Sequence, residues 1–382
     1  MIMNAKRNSY LSLVLLLGMT LPVMAQFNNV GTSAANFLKI PVGARGTALG
    51  GAYVSMVNDA TSLFWNVAGM SNVVGHEITF QTNYWLLDLR HNFLAGVFSI
   101  STYDRIGVSI SYLSMGEMNQ TTPAQPRGTG LKFSAYDVAL GLAYARQLTD
   151  RIAVGIHTKY VREVISKSSA SGVAFDVGLQ YRSDWNNLRV GAAITNFGPD
   201  LRMEGEDLRV KLDPYPTTGS NPEDVPLFLE TESFSLPIQF QFGVSITPYQ
   251  SESLSLTTVL DVRDARDFNQ EFRLGGELEV MKLFYVRGGA NLFMVEGSLF
   301  GGSDQVVVEG QEEGGTGSVG SAYVNPTTIT RGDLRDGQPL FNLGAGVRYT
   351  LPSSGMGLRF DYAFSRVRTL EDIHRFGLTL SF

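Results

Sequence analysis

The last nine residues, "HRFGLTLSF" (374–382), decide the fold. Phe376, Leu378, Leu380 and Phe382 alternate with Arg375, Gly377, Thr379 and Ser381. An extended chain therefore puts its apolar groups on one face and its charged or small polar groups on the other. The pattern recurs upstream. Leu358, Phe360, Tyr362 and Phe364 alternate with Arg359, Asp361, Ala363 and Ser365, and Tyr136 to Tyr144 alternates in the same way. About fourteen such segments can be counted, near 76–86, 90–101, 104–116, 133–147, 150–165, 171–183, 187–197, 236–247, 252–263, 270–280, 283–294, 340–351, 355–367 and 373–382. Most exceed the five or six residues usual in soluble sheets and match the roughly ten that a tilted membrane strand requires.

The connections give an independent test. Those after even-numbered segments are short ("TYD", "TD", "DWN", "PYQSE", "MK", "PSS"). Three of those after odd-numbered segments are long: 117–132, 198–235 and 295–339. Membrane barrels have an even strand number, short periplasmic turns and long outer loops, whereas a soluble β-sandwich has no reason to sort loops by parity. In lipid every backbone N–H and C=O needs an internal partner, and strands meet that need only by closing. The expected fold is an all-β, antiparallel transmembrane barrel of about fourteen strands. Outward residues meet outer-membrane lipid, and inward ones line a polar lumen. Asp176, Arg182, Arg273, Glu277, Arg348, Arg359 and Asp361 fall on the inward parity, so they are expected to pair with each other or with an element inside the barrel.

Composition agrees. Of 382 residues, 17% are charged, below the quarter usual in soluble proteins. The net charge of −6 argues against nucleic acid as a partner, and with no cysteine there is neither a disulfide framework nor a thiolate metal site. Lys6 and Arg7, the apolar run "LSLVLLLGMT" (11–20) and Val23-Met24-Ala25 form a three-part export signal, with cleavage expected after Ala25. The destination is the outer membrane of a Gram-negative-type bacterium.

Residues 26–75 break the alternation. They are rich in Gly and Ala, with short apolar stretches, and too few to build a core alone. Ahead of a wide barrel, such a segment is expected to fold into the lumen as a hatch. The organisation is thus signal 1–25, hatch 26–75 and barrel 76–382. The stretch "FLKIPVGARGTALGGAYVSMVNDATSLFWNVAGM" (37–70) resembles the N-terminal region of the PorV/PorQ branch of FadL-type outer-membrane proteins. It has an Arg45-bearing helix leading to a Gly50-Gly51 turn, an acidic position at Asp59, and a box of Trp65-Asn66-Val67-Ala68, where Val67 stands for the family's Pro. "AAITNFGPDLRMEG" (192–205) and "LPIQFQFGVSI" (236–246) carry further likeness. The resemblance implies a fourteen-stranded barrel with an N-terminal hatch. It also implies a role in type IX secretion, in which the C-terminal domains of exported cargo are bound and passed to a translocon. The FadL-like alternative is uptake of hydrophobic small molecules such as fatty acids.

Phe64 and Trp65 are expected to anchor the hatch, Asn66 to cap a turn, and Ala68-Gly69 to allow close packing, with ligand contact as the second possibility. Any apolar pocket would have to come from Phe37, Leu38, Ile40, Leu49, Phe64 and Trp65. The terminal aromatic Phe382 resembles the signal read by barrel assembly machinery. No enzyme signature stands out. The four histidines form no HExxH pair, and no serine lies in a GxSxG context. His157 faces the expected lumen among serines, and we read it as a hydrogen-bonding residue. "GARGTALGG" (43–51) lacks a phosphate-loop Lys, and "DVRDARDFN" (261–269) reads as a solvated outer turn rather than a calcium loop. No cofactor is expected. Two long loops are acidic, with nine Asp/Glu against three Lys/Arg in 199–236 and seven against two in 295–340. Solubility at the cell surface explains this, and so would docking of a basic partner.

Overall fold

A computed structural model describes residues 32–86, 89–212, 225–293, 305–307, 328–330, 339–352, 355–367 and 372–382. The signal segment 1–25 and most of the 295–339 loop lie outside these. Fourteen antiparallel strands close on themselves: β1 (Glu77–Tyr84), β2 (Arg90–Ser99), β3 (Asp104–Ser114), β4 (Ala135–Gln147), β5 (Ile152–Ile165), β6 (Ser168–Arg182), β7 (Arg189–Phe197), β8 (Gln239–Gln250), β9 (Leu254–Ala265), β10 (Phe268–Val280), β11 (Phe284–Phe293), β12 (Pro339–Thr350), β13 (Gly357–Val367) and β14 (Ile373–Ser381). Each strand pairs with its sequence neighbours, and β1 closes on β14 from Glu77↔Ser381 to Tyr84↔His374. No backbone edge is left in the wall, as lipid demands.

The alternation read from 374–382 has the expected sense. Leu378 and Phe382 point outward, while Arg375, Gly377 and Thr379 are buried inward. Outward-facing Phe80, Leu94, Val108, Leu142, Phe240, Leu260, Leu274 and Phe360 continue the apolar belt around the wall. The turns at one end are short; Met281 and Lys282, at φ 54° and 57°, form a tight hairpin of primed type. Among the described residues no helix is long and apolar enough to cross a membrane.

Residues 32–76 run through the lumen. Near the long-loop end, Ala34 N donates to Ser235 O, Ala35 N donates to Glu163 and Lys39 pairs with Asp267. At the short-turn end, His76 and Phe382 exchange two backbone hydrogen bonds (2.7 and 2.9 Å), which ties the segment to the last residue of the barrel. Between them lie α1 (Ala44–Ala48), α2 (Ser62–Trp65) and 3₁₀ turns at Asn36–Lys39 and Val67–Asn72. The lumen wall admits this chain where it carries no side chain. A Cβ on Gly289 would sit 2.0 Å from Leu49, and one on Gly178 would sit 2.1 Å from the Asn66 side chain.

Two expectations need correction. The stretch 261–269 is not a solvated outer turn. Asp261 and Arg263 lie on β9 and face inward, and Asp267 is buried against Ser33 and Lys39, because the N-terminal segment fills the space beside them. The 198–235 loop is not wholly solvated either. Leu201–Arg202 pairs with Ser233–Phe234, Glu204–Gly205 adds to the end of β6, and Leu201 and Leu236 are buried against Ala35, Phe37 and Leu38. The loop thus folds back over the outer end of the segment, where Leu201 and the adjoining Leu236 find apolar cover.

Candidate functional site

The contact between segment and wall is organised by a closed ring of charge. Arg45 on α1 grips Glu277 of β10 with two bonds of 2.8 Å each. Arg287 of β11 donates to Glu277 (2.6 Å) and to Asp361 of β13 (2.7 Å). Arg359 donates to Asp361 and to Asp59, both at 2.8 Å. Asp59 returns to Arg45 at 3.3 Å. Three carboxylates and three guanidinium groups alternate, so the ring is neutral and every member has two opposite neighbours. Desolvating six charges is tolerable only with this degree of pairing. Two members come from the N-terminal segment and four from three strands.

Asp59 is the hub. It also accepts from the Tyr53 hydroxyl (2.8 Å), from Thr61 N (3.0 Å) and from the Thr61 hydroxyl. Burial alone would raise its carboxyl pKa, but Arg359 first and then Arg45, with the two hydroxyls, hold it well below the usual carboxylate range. The carboxylate is charged at any physiological pH.

The other expected residues of the segment build its frame. Gly50 and Gly51, at φ 70° and 77°, make the turn after α1 in a conformation only glycine adopts freely. Gly51 O accepts from Arg273, which also pairs with Glu271. Trp65 is 1% exposed; its indole N–H donates to Val42 O (2.9 Å), and its ring meets Tyr53 and Phe64 edge-on. Asn66 caps the 3₁₀ turn by accepting from Ala68 N (3.2 Å), and its amide donates to Val54 O (2.9 Å) and Leu179 O (3.0 Å). Ala68 and Gly69 are buried, with Gly69 against Val57.

Of the seven inward charges read from the strands, Glu277, Arg359 and Asp361 enter the ring, and Arg273 joins Glu271 and Gly51. Asp176 lies apart, bonded to His157, Lys159 and Asn196. Arg182 and Arg348 keep the inward parity but sit exposed at the short-turn end, beyond the buried network. Arg287 was missed. It stands directly across from Glu277 in the β10–β11 register, so pairing of the two strands would have found it.

The six residues from which any apolar pocket would have to come do not enclose a large one. Phe37, Ile40, Leu49 and Trp65 are packed tight, and Leu38 and Phe64 border a cavity of about 30 Å³ shared with Leu63, Phe93, Ser109 and His157. Drug-sized ligands need roughly 300 Å³ or more. Among the described residues no cluster of three or more His, Asp or Glu could hold a metal ion.

A closed fourteen-stranded barrel with an apolar outer belt and a filled polar lumen defines an outer-membrane barrel protein. Residues 23–210 match the family model described as "PorV: Type IX secretion system protein PorV". Solved structures agree in fold. The Pseudomonas putida toluene transporter TodX superposes with TM-score 0.51 at 11% identity, covering 88% of this chain and 96% of that one. A TodX variant described as a monoaromatic hydrocarbon channel superposes with TM-score 0.50 at 12% identity, covering 88% and 97%. No curated protein sequence matches the chain. Just under half of the chain thus matches the PorV family, and the barrel shares the fold of these solved transporters.

Proposed function

We propose that this protein is a docking barrel of type IX secretion, which binds the C-terminal domains of exported cargo at the outer membrane and presents them to the translocon. Docking itself is non-enzymatic and needs no cofactor. The observation that carries the reading is the PorV family match, which spans the whole lumenal segment and the first seven strands. In this reading residues 26–75 act as a fixed hatch, closed by the charged ring, and the acidic outer loops offer the docking face. The signal 1–25 exports the chain, and the last strand with Phe382 is what the barrel assembly machinery reads. Purified full-length barrel should retain cargo C-terminal domains in a pull-down, and failure to bind any from a type IX-competent source would remove the proposal.

A second reading, uptake of hydrophobic small molecules, draws on the cavity bordered by Leu38, Leu63, Phe64 and Phe93. Its small size weighs against it. A fatty acid co-purifying with the barrel would reverse that judgement.

A further inference from the structure

On the opposite wall from the ring, three buried lumenal side chains fall in line. Ser109 Oγ of β3 lies 3.2 Å from His157 Nε2 of β5, and His157 Nδ1 lies 3.0 Å from Asp176 Oδ2 of β6. Gly141 of β4 lies beneath the first contact. A Cβ there would stand 2.1 Å from His157 Nε2 and 2.4 Å from Ser109 Oγ, so a glycine is what lets hydroxyl and imidazole meet. Asp176 is held from behind. A bulge in the β6–β7 register gives Asn196 a φ of 61° and turns its N–H onto Asp176 Oδ1 (2.7 Å), where Lys159 Nζ also binds (2.7 Å). This leaves Oδ2 for the imidazole. Ser109 and His157 both border the 30 Å³ cavity, beside Phe64 and the side chains of Ser111, Thr195, Gln239 and Gln241. That space holds roughly two waters or a group of similar size.

We propose that Ser109 is a nucleophile activated by His157, and that the cavity is an acyl-transfer site for short-chain esters, separate from cargo docking. His157 takes the Ser109 proton as Oγ bonds to the ester carbonyl carbon. It returns that proton to the departing alkoxide, giving the free alcohol and acyl-Ser109. Water, deprotonated by the same imidazole, then releases the carboxylic acid and restores the hydroxyl. Asp176 is a positioning residue that fixes the ring and its tautomer. The amides and hydroxyls around the cavity are the donors available to the developing oxyanion. A lumen network serving only to hold the fold would show the same hydrogen bonds but no nucleophilic serine.

Methanesulfonyl fluoride, among the smallest serine-directed reagents, tests the difference on the full-length barrel in detergent. The expected result is one methanesulfonyl group per chain, mapped to Ser109 and absent from Ser109→Ala, which loses a single oxygen. His157→Gln should label roughly 100-fold more slowly. Ser365 of β13, a buried lumenal serine bonded to Asn342 and Arg375 rather than to an imidazole, is the internal control and does not depend on any variant folding. An unlabelled Ser109 in the folded wild type, or labelling of Ser109 no faster than of Ser365, overturns the proposal.

Discussion

The two sides of the barrel hold the same segment by different chemistry. On the side of β9–β13 ion pairs are added to close packing: Glu277 and Arg359 pair with Arg45 and Asp59, Arg273 donates to Gly51 O and Asp261 accepts from Val54 N, while Leu49 lies against Gly275 and Gly289. On the side of β2–β7 it is apolar and close. Leu63, Val67, Met70 and Val73 pack on Phe93, Ala95, Val97, Ala143 and Ala145, and backbone meets backbone at Gly155, Gly178 and Gly191. Apolar packing tolerates small slips, so it stabilises without strongly fixing register. A ring of alternating charges does not, because a shift of one residue would strand a buried charge. The segment is pressed against one wall and indexed by the other.

Breaking the indexed side should cost most. Asp59→Ala leaves Arg45 and Arg359 buried without their shared partner and should destabilise the folded barrel by about 3–5 kcal/mol, read from the guanidinium unfolding midpoint. A cost under about 1 kcal/mol would show that the ring is ornamental. On the packed side, Gly178→Ala drives a methyl group into the Asn66 side chain and should cost about 1–3 kcal/mol. Protease cleavage confined to residues 66–73 would place that damage at the 3₁₀ turn. Cleavage spread over the whole segment would mean that the two sides do not act separately.

Acid should separate the two sides more gently. Because the folded-state pKa of Asp59 is depressed, its contribution is fully present above about pH 4 and is lost as pH falls through the folded value. Protease resistance of the segment should therefore be flat from pH 7 to about 4 and decline only below that. A decline beginning near pH 6 would point to another group. The smallest effect belongs to Val67→Pro. Val67 is the first residue of a 3₁₀ turn, and Asn66 before it is extended (φ −163°, ψ 105°), as a residue preceding proline prefers to be. We expect neutrality or a gain of up to about 1 kcal/mol in the same unfolding assay. A marked loss would show that Val67 has reshaped the turn away from the family form.

The sequence by itself determined the wall. Period-two alternation, strand count and loop parity are local properties, because side-chain direction along a strand depends only on position, and lipid then forces closure. The lumenal segment was also legible, since 26–75 cannot alternate and cannot fold alone. Tertiary structure decided which charges meet. Arg287 and Arg348 share the inward parity, yet only Arg287 lies opposite Glu277 and within the filled part of the lumen, whereas Arg348 reaches the open end. Likewise nothing near Ser109 in the chain announces His157 or Asp176. They meet because β3, β5 and β6 curve around a glycine on β4, and that spacing exists only once these four neighbouring strands have paired.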